Sequence, residues 1–327
     1  MKATIVLGGN MYDDSTIEHL LKDAAHIGYE GVEIRGVGEL KDGYIPVERA
    51  KQIKAMLDRY KLTPTNLSLF AGGFACNTEE ENEEEVLKWK RYLDFASIIG
   101  CGMMRLNPGF IHSADVSKDD FARAVRWFQQ CADLAGERNI RAVIEMHHGT
   151  LCDTAEASAA FVEAVGRSNV GLILDPVNLY QVPTEYGIST IKQLKPYLFN
   201  VHIKDIVELK GTEYPWAFGY SDYVPHIGRY HRVVPKQGAH EERYYCHRLI
   251  NQGGIDWYEV FRGLEEIGYE GYLTIESVSK PGSDLPVHTA LAQQCYNDLQ
   301  HLLQITGPKR TYPPLDKGVS ERNETYE

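Results

Sequence analysis

Ile27-Gly28-Tyr29-Glu30-Gly31 joins an amphipathic run to a short apolar one, and the same five residues return at Ile267-Gly268-Tyr269-Glu270-Gly271, with a looser copy at Ile99-Gly100-Cys101-Gly102. Upstream of the first copy, Ile17, Leu20, Leu21, Ala24 and Ala25 recur at helical spacing. Ser15 and Glu18 form a capping-box pattern at the start of that helix, and Gly28 stops it. Downstream, Gly31-Val32-Glu33-Ile34 reads as a strand. Joints of one design repeated along a chain imply a repeated αβ unit.

Outward from these joints, strands are expected near Ala3 to Leu7, Gly31 to Ile34, Thr65 to Leu69, Met103 to Leu106, Ala142 to Met146, Gly171 to Leu174, Asn200 to Ile203 and Tyr272 to Ile275. Helical periodicity fills the gaps, most clearly over Val86 to Ile98, Asp119 to Leu134, Ala155 to Val165 and Trp257 to Glu266, with a short stretch at Thr190 to Leu194. Several strands are the short apolar runs of a sheet covered on both faces. Their number favours a closed (β/α)8 TIM barrel over an open doubly wound sheet. No GxGxxG loop follows the first strand, which argues against a dinucleotide fold.

Two segments do not fit the unit. Residues 207–254, after the seventh strand, are too long for a βα turn and carry Tyr214, Trp216, Phe218, Tyr220, Tyr223, Tyr230, Tyr244 and Tyr245 with four histidines. Residues 307–327 form a Pro- and charge-containing tail. The expected division is therefore a barrel over 1–306, interrupted by this insertion, and a tail that wraps a neighbouring subunit or stays disordered. The acidic run Glu79 to Glu85 reads as the dipole-favoured start of the third helix.

Composition narrows the partners. A formal charge of -12 would repel nucleic acid and anionic membranes over most of the surface. No apolar run approaches the roughly 20 residues needed to cross a bilayer, and the start MKATIVLGGNMYDD turns acidic before a signal peptide develops, so a cytoplasmic protein is expected. The cysteines Cys76, Cys101, Cys131, Cys152, Cys246 and Cys295 form no CxxC pair and read as reduced packing residues.

In such a barrel the carboxyl ends of the strands converge on one mouth. There the sequence places Val143-Ile144-Glu145-Met146-His147-His148, Leu172-Ile173-Leu174-Asp175-Pro176, Val201-His202-Ile203-Lys204-Asp205 and Leu273-Thr274-Ile275-Glu276-Ser277. Each puts a metal-capable side chain directly after buried apolar residues. Burying two Glu, one Asp and one His without partners is severely unfavourable, whereas one divalent cation satisfies them together. Three carboxylates and an imidazole suit Mn2+ first, with Mg2+, Co2+ or Zn2+ also compatible.

These segments, with Gly149-Thr150-Leu151-Cys152-Asp153-Thr154, Gly254-Ile255-Asp256-Trp257 and Gly271 to Glu276, resemble the sugar phosphate isomerase/epimerase family of xylose isomerase-like barrels over about residues 1 to 303. The resemblance implies that Glu145, Asp175, His202 and Glu276 bind one divalent metal and that His147 faces the substrate. Some keto-sugar epimerases of this family carry a substrate-binding His three residues after the Asp ligand; here that position is Asn178. Glu145, Glu276 and His147 are the candidate catalytic residues, since a base beside a metal-chelated carbonyl can remove a carbon-bound proton. His147, Asn178, Lys204 and Arg248 are the candidate substrate-binding residues. Of the histidines in the insertion, His226, His231, His240 and His247 have no metal spacing and read as loop hydrogen-bonders.

The expected activity is a metal-dependent sugar or keto-sugar isomerase or epimerase acting on a small carbohydrate. The alternative is β-elimination on a 3-oxo sugar, since inosose dehydratases and the larger subunits of C-glycoside deglycosidases resemble the same barrel. A nuclease resembling endonuclease IV would need more strand-end His and acidic ligands than are present. A non-catalytic sugar-binding barrel is disfavoured by retention of every metal-type residue. The insertion is expected to close over the mouth and, with the tail, to make a homo-oligomer or a complex with a smaller subunit.

Overall fold

The computed structural model describes residues 3–182, 184–209, 230–233, 243–277 and 285–306. A parallel barrel is built from β1 (Thr4–Gly8), β2 (Gly31–Arg35), β3 (Thr63–Ser68), β4 (Met103–Arg105), β5 (Arg141–Glu145), β6 (Val170–Leu174) and β7 (Leu198–Ile203). The chain then leaves the barrel as β8 (Asp205–Leu209), β9 (Tyr230–Val233) and β10 (Arg243–Arg248), an antiparallel sheet of order β8-β10-β9. It returns as β11 (Tyr272–Ile275), which pairs with β7 on one side and β1 on the other and so closes the ring. The eight-stranded barrel is thus the one the sequence predicts, whereas the small sheet inside the insertion is not foreseen.

The helices are α1 (Ile17–Ile27), α2 (Val47–Tyr60), α3 (Glu79–Ile99), α4 (Lys118–Gly136), α5 (Ala155–Val165), the short α6 (Pro176–Gln181) and α7 (Ile188–Leu194), α8 (Trp257–Glu266) and α9 (Leu285–Ile305). One start agrees with the sequence reading and one differs from it. Helix α3 begins at Glu79, the acidic run forming its first turns as the sequence reading expects, and Thr78 and Glu81 close a reciprocal capping box there. Thr16, not Ser15, caps α1, its side chain accepting from the His19 amide, while Ser15 Oγ bonds His19 Nδ1 at 2.8 Å.

The repeated joint has one geometry. Tyr29, Cys101 and Tyr269 donate their amides to the carbonyls of Ala24, Ala96 and Leu264, five residues back, at 3.0, 2.9 and 2.9 Å. Gly28, with φ of 108°, makes the intervening left-handed step that a side chain would resist. The same closure recurs at Leu62 to Leu57 and Ile140 to Ala135, where Lys61 and Asn139 take the positive φ instead.

Alternation along the strands sorts side chains between helix layer and barrel interior. Ile144, Leu172 and Leu174 join the main core between barrel and helices, whereas Met103, Val143 and Ile173 form a separate cluster with Phe199 and Tyr272. Two residues further along those same interior columns stand Arg105, Glu145 and Asp175. The interior therefore runs from apolar at the amino ends of the strands to charged at the carboxyl ends, where the loops open to solvent.

Candidate metal centre

Glu145 is the last residue of β5, Asp175 follows β6, His202 lies in β7, and Glu276 follows β11, its amide continuing the ladder to Ile203 O at 2.9 Å. Asp175 is also the cap of α6: its Oδ1 accepts from the Asn178 amide at 3.0 Å, and Pro176 takes the first helical position, where no amide donor is needed. All four side chains are buried, and one ligand atom from each lies within 4.8 Å of all the others. His202 Nδ1 faces the three carboxylates, at 3.2 Å from Glu276 Oε2, 3.5 Å from Glu145 Oε1 and 3.7 Å from Asp175 Oδ2. It makes no aligned hydrogen bond with any of them.

The surrounding groups orient this set. Arg105 pairs with Glu145 Oε2, and Asn178 Nδ2 donates to Glu145 Oε1 at 3.0 Å and to Met146 O at 3.1 Å. Lys204 Nζ lies 2.7 Å from both Asp175 Oδ2 and Glu276 Oε2, and Asn10 Nδ2 donates to Glu276 Oε1 at 3.0 Å. On the far side of the imidazole, Glu33 Oε2 stands 3.3 Å from His202 Nε2.

Burial pushes the Glu145 carboxyl up, but the Arg105 guanidinium and His202 together reverse this and hold the group well below the usual carboxylate range. Burial also raises Glu276, and Lys204 followed by His202 reverse it. Burial disfavours a charged His202, yet the Glu276 and Glu33 carboxylates hold its pKa well above the ordinary value. A cluster whose carboxylates raise the pKa of a fully buried imidazole is one that attracts a cation, and an Nδ1 pointing at three carboxylates without an aligned bond fits a ligand to a divalent ion. The donor set, three oxygens and one nitrogen, fits Mn2+, Mg2+, Co2+ or Zn2+.

A cleft of about 320 Å3 opens onto the set. Of the sequence-predicted substrate residues, His147, Asn178 and Lys204 line it. Arg248 is not among its described lining residues; its neighbour His247 is, because β10 alternates and turns His247 toward the mouth. Asn178 is 2% exposed and its amide group is bound to Glu145, so it acts on that carboxylate directly. His147 Nδ1 contacts His148 O at 2.7 Å, and the two rings lie 4.2 Å apart. Glu33, Arg105, Asn10 and His247 were not picked out by sequence. For Glu33 and Arg105 a signal existed, since each is a charged residue in a strand at an interior position; Asn10 and His247 carried none.

Lys204 and Asp205 do not pair with each other. Lys204 turns to the carboxylates, while Asp205 accepts from the amides of Ile206, Asn251, Gly253 and Ile255 and from Trp257 Nε1. It thereby ties the entry to the insertion to its exit, and burial raises its pKa to about 6 against those hydrogen bonds. At Gly253 a Cβ would overlap Asp205 Oδ1 and Ile206 O, so the clasp requires glycine. Buried Tyr245 packs its ring against Tyr180 of α6 at 6.1 Å. The aromatic residues from Tyr214 to Tyr223, His226, His240 and the tail lie outside the described residues, as do the side chains of Tyr230, His231, Tyr244 and Cys246.

A family model described as xylose isomerase-like TIM barrel matches residues 21–295. The chain belongs to that family. Fructoselysine 3-epimerase of Escherichia coli O157:H7 is 23% identical over 278 residues, covering 80% of this chain and 86% of the relative. Inosose dehydratase of Glaesserella parasuis is 23% identical over 298 residues, covering 86% and 89%. Among solved structures, the IOLI protein with a bound zinc atom superposes with a TM-score of 0.70 at 17% identity, covering 92% of this chain and 98% of that one. No described helix is long and apolar enough to cross a membrane.

Proposed function

We propose that this chain is a divalent-metal-dependent enzyme that removes a proton from the carbon beside a sugar carbonyl, as an isomerase or epimerase. The observation that carries the reading is the buried set of Glu145, Asp175, His202 and Glu276, whose ligand atoms gather within 4.8 Å at the mouth. These residues would hold the ion, which supplies Lewis-acid polarisation of a carbonyl and stabilises the negative charge left by proton removal. The names of the two curated relatives, an epimerase and a dehydratase, support the substrate class.

Glu145 and Glu276 come from β5 and β11, with β6 and β7 between them in the ring. They can therefore approach a bound sugar from different sides, as epimerisation requires of a base and an acid. Both are held ionised by their cationic neighbours, Arg105 and Lys204. Asn178 and Asn10 fix the carboxylate planes, and His147 offers its ring to a substrate hydroxyl from the cleft wall.

Lys204 favours a second reading, β-elimination. Its ammonium lines the cleft beside Glu276, so that as a glutamate takes the carbon-bound proton, Lys204 can protonate the departing oxygen. One experiment separates the readings: Mn2+-loaded protein incubated in D2O with a panel of free ketoses, inososes and 3-oxo-glycosides. Isomerisation or epimerisation leaves deuterium at the carbon beside the carbonyl, and elimination releases the neighbouring substituent. A product that keeps the substrate hydrogen, or full turnover in a chelator, would overturn both.

Finer particulars belong to the same proposal. The donor chemistry supports Mn2+ as the working ion. The free cysteines among the described residues support a cytoplasmic setting, and the aromatic insertion and the tail support a homo-oligomer or a complex with a smaller chain. Light scattering before and after removal of 307–327 tests the assembly; a monomeric mass in both cases counts against it.

A further inference from the structure

Few large apolar side chains among the described residues are mostly exposed, and two of them, Phe70 at 57% and Phe110 at 64%, line one lobe beside the metal-ligand set. This lobe encloses about 250 Å3, between Phe70, Phe110, Leu106, His147, His148 and Glu145. It adjoins the cleft described above through Phe70, His147, His148 and Glu145, which line both.

The backbones that carry the two phenylalanines are laced together. Asn107 donates to Ala71 O at 3.0 Å, Gly73 to Asn107 O at 2.7 Å and Ala75 to Pro108 O at 2.9 Å. A Cβ at Gly72 would overlap Asn107 O, so the two loops touch directly. The Phe70 ring is further held by the guanidinium groups of Arg35 at 5.0 Å and Arg105 at 5.7 Å. The Phe70 ring is thus held, and the loop that carries Phe110 anchored, beside the metal-ligand set, an arrangement that leaves both rings in water and costs free energy unless a ligand covers them.

Of the polar groups lining the lobe, Arg105, Asn107 Oδ1 and Thr150 Oγ1 are already committed, as is Arg35, which holds the Phe70 ring. Arg105 pairs with Glu145, Arg35 pairs with Asp13 at 2.9 Å, Asn107 Oδ1 accepts from the Gly109 amide at 2.8 Å, and Thr150 Oγ1 donates to His147 O at 2.8 Å. With Arg105 paired, the described lining of the lobe has no unopposed arginine or lysine for a phosphate. A second sugar would stack on phenylalanine but would also need hydrogen-bonding partners around its rim.

We propose that this lobe receives a flat aromatic group carried by the sugar, so that the substrate is an aryl-bearing sugar conjugate rather than a free sugar. The inference rests on the metal-centre reading given above. The two lobes together fall in the range of roughly 300–1,000 Å3 that sites for ligands of drug size occupy.

Hydroxamates test it without knowledge of the sugar, because the hydroxamate anchors on a divalent ion and its substituent probes the wall. Calorimetry on Mn2+-loaded full-length protein would compare acetohydroxamate, cyclohexylacetohydroxamate and phenylacetohydroxamate. The phenyl compound should bind at least tenfold more tightly than the methyl one and more tightly than the cyclohexyl one. Phe110→Ala, which removes an exposed ring and should leave folding and ion content intact, should erase that gain while acetohydroxamate binds as before. Equal binding of the three by the unaltered protein, or a gain that survives both Phe110→Ala and Phe70→Ala, overturns the aryl site and leaves the metal centre standing. Failure of every hydroxamate to bind overturns the metal centre and the aryl site with it.

Discussion

His202 stands between carboxylates on both of its ring nitrogens: Nε2 is 3.3 Å from Glu33 Oε2, and Nδ1 is 3.2 Å from Glu276 Oε2. Glu33 is itself fixed, accepting from Asn66 Nδ2 at 2.9 Å and from Asn200 Nδ2 at 3.4 Å. A carboxylate behind a ligating histidine keeps the proton on the outer nitrogen and aims the lone pair of the inner one. Glu33→Gln, nearly isosteric, should therefore weaken divalent-ion binding by about 10–100-fold while the barrel stays folded. Competition with a chromophoric chelator measures this, and an unchanged affinity would show that Glu33 is only barrel filling.

Glu276→Gln asks a different question, because Glu276 is placed both to hold the ion and to take a proton. The amide keeps the shape and the Asn10 contact but loses the charge that faces Lys204 and His202. Turnover should fall by roughly 10²–10⁴-fold and bound ion should drop, with the circular dichroism spectrum unchanged. Retained turnover with full ion content would move the base to Glu145 or His147.

Sequence legibility followed chemistry that is local. The joints at Gly28, Gly100 and Gly268 were readable because glycine marks a left-handed step, while the equivalent joints at Lys61 and Asn139 were hidden by residues that endure the same step less visibly. Asp175, His202, Glu145 and Glu276 could be found because each ends an apolar strand. Glu33 and Arg105 obey the same interior alternation, but their roles depend on partners 169 and 40 residues away, which no local pattern encodes. Ser15 and Thr16 are equivalent caps on paper, since both carry a hydroxyl, and only the backbone turn singles out Thr16.

The shifted pKa of His202 sets a pH dependence whose sign can be stated. Its folded value is raised well above the ordinary 6.5, so in metal-free protein its contribution to stability is complete below 6.5 and is lost as pH rises through the folded value. A bound ion takes the place of that proton, and binding at lower pH must expel it. The difference in Tm between Mn2+-loaded and chelator-treated protein should therefore widen as pH rises above about 6.5. Glu145 and Glu276, both depressed, keep the site ionised until pH falls below their ordinary 4.5. A gap in Tm that narrows with rising pH would be incompatible with His202 as a ligand.

The clasp at the base of the insertion offers the last test. Asp205 gathers amides from both ends of that segment, and Gly253 approaches it so closely that an added methyl must displace either the carboxylate or the Ile206 carbonyl. Gly253→Ala should destabilise by about 1–3 kcal/mol, as overpacking of a tight site does. Asp205→Asn should cost a similar amount, because an amide nitrogen would face donors that now share two oxygens. Both substitutions break one contact, so the double variant should lose clearly less than the sum of the singles. Loosening the clasp frees β10 and the His247 that it presents to the cleft, so substrate KM should rise while bound Mn2+, held by other strands, is unchanged. Denaturant unfolding of the four proteins, with ion content measured alongside, decides the matter. Strict additivity, or loss of the ion in the single variants, would mean that Asp205 and Gly253 serve the barrel rather than the insertion.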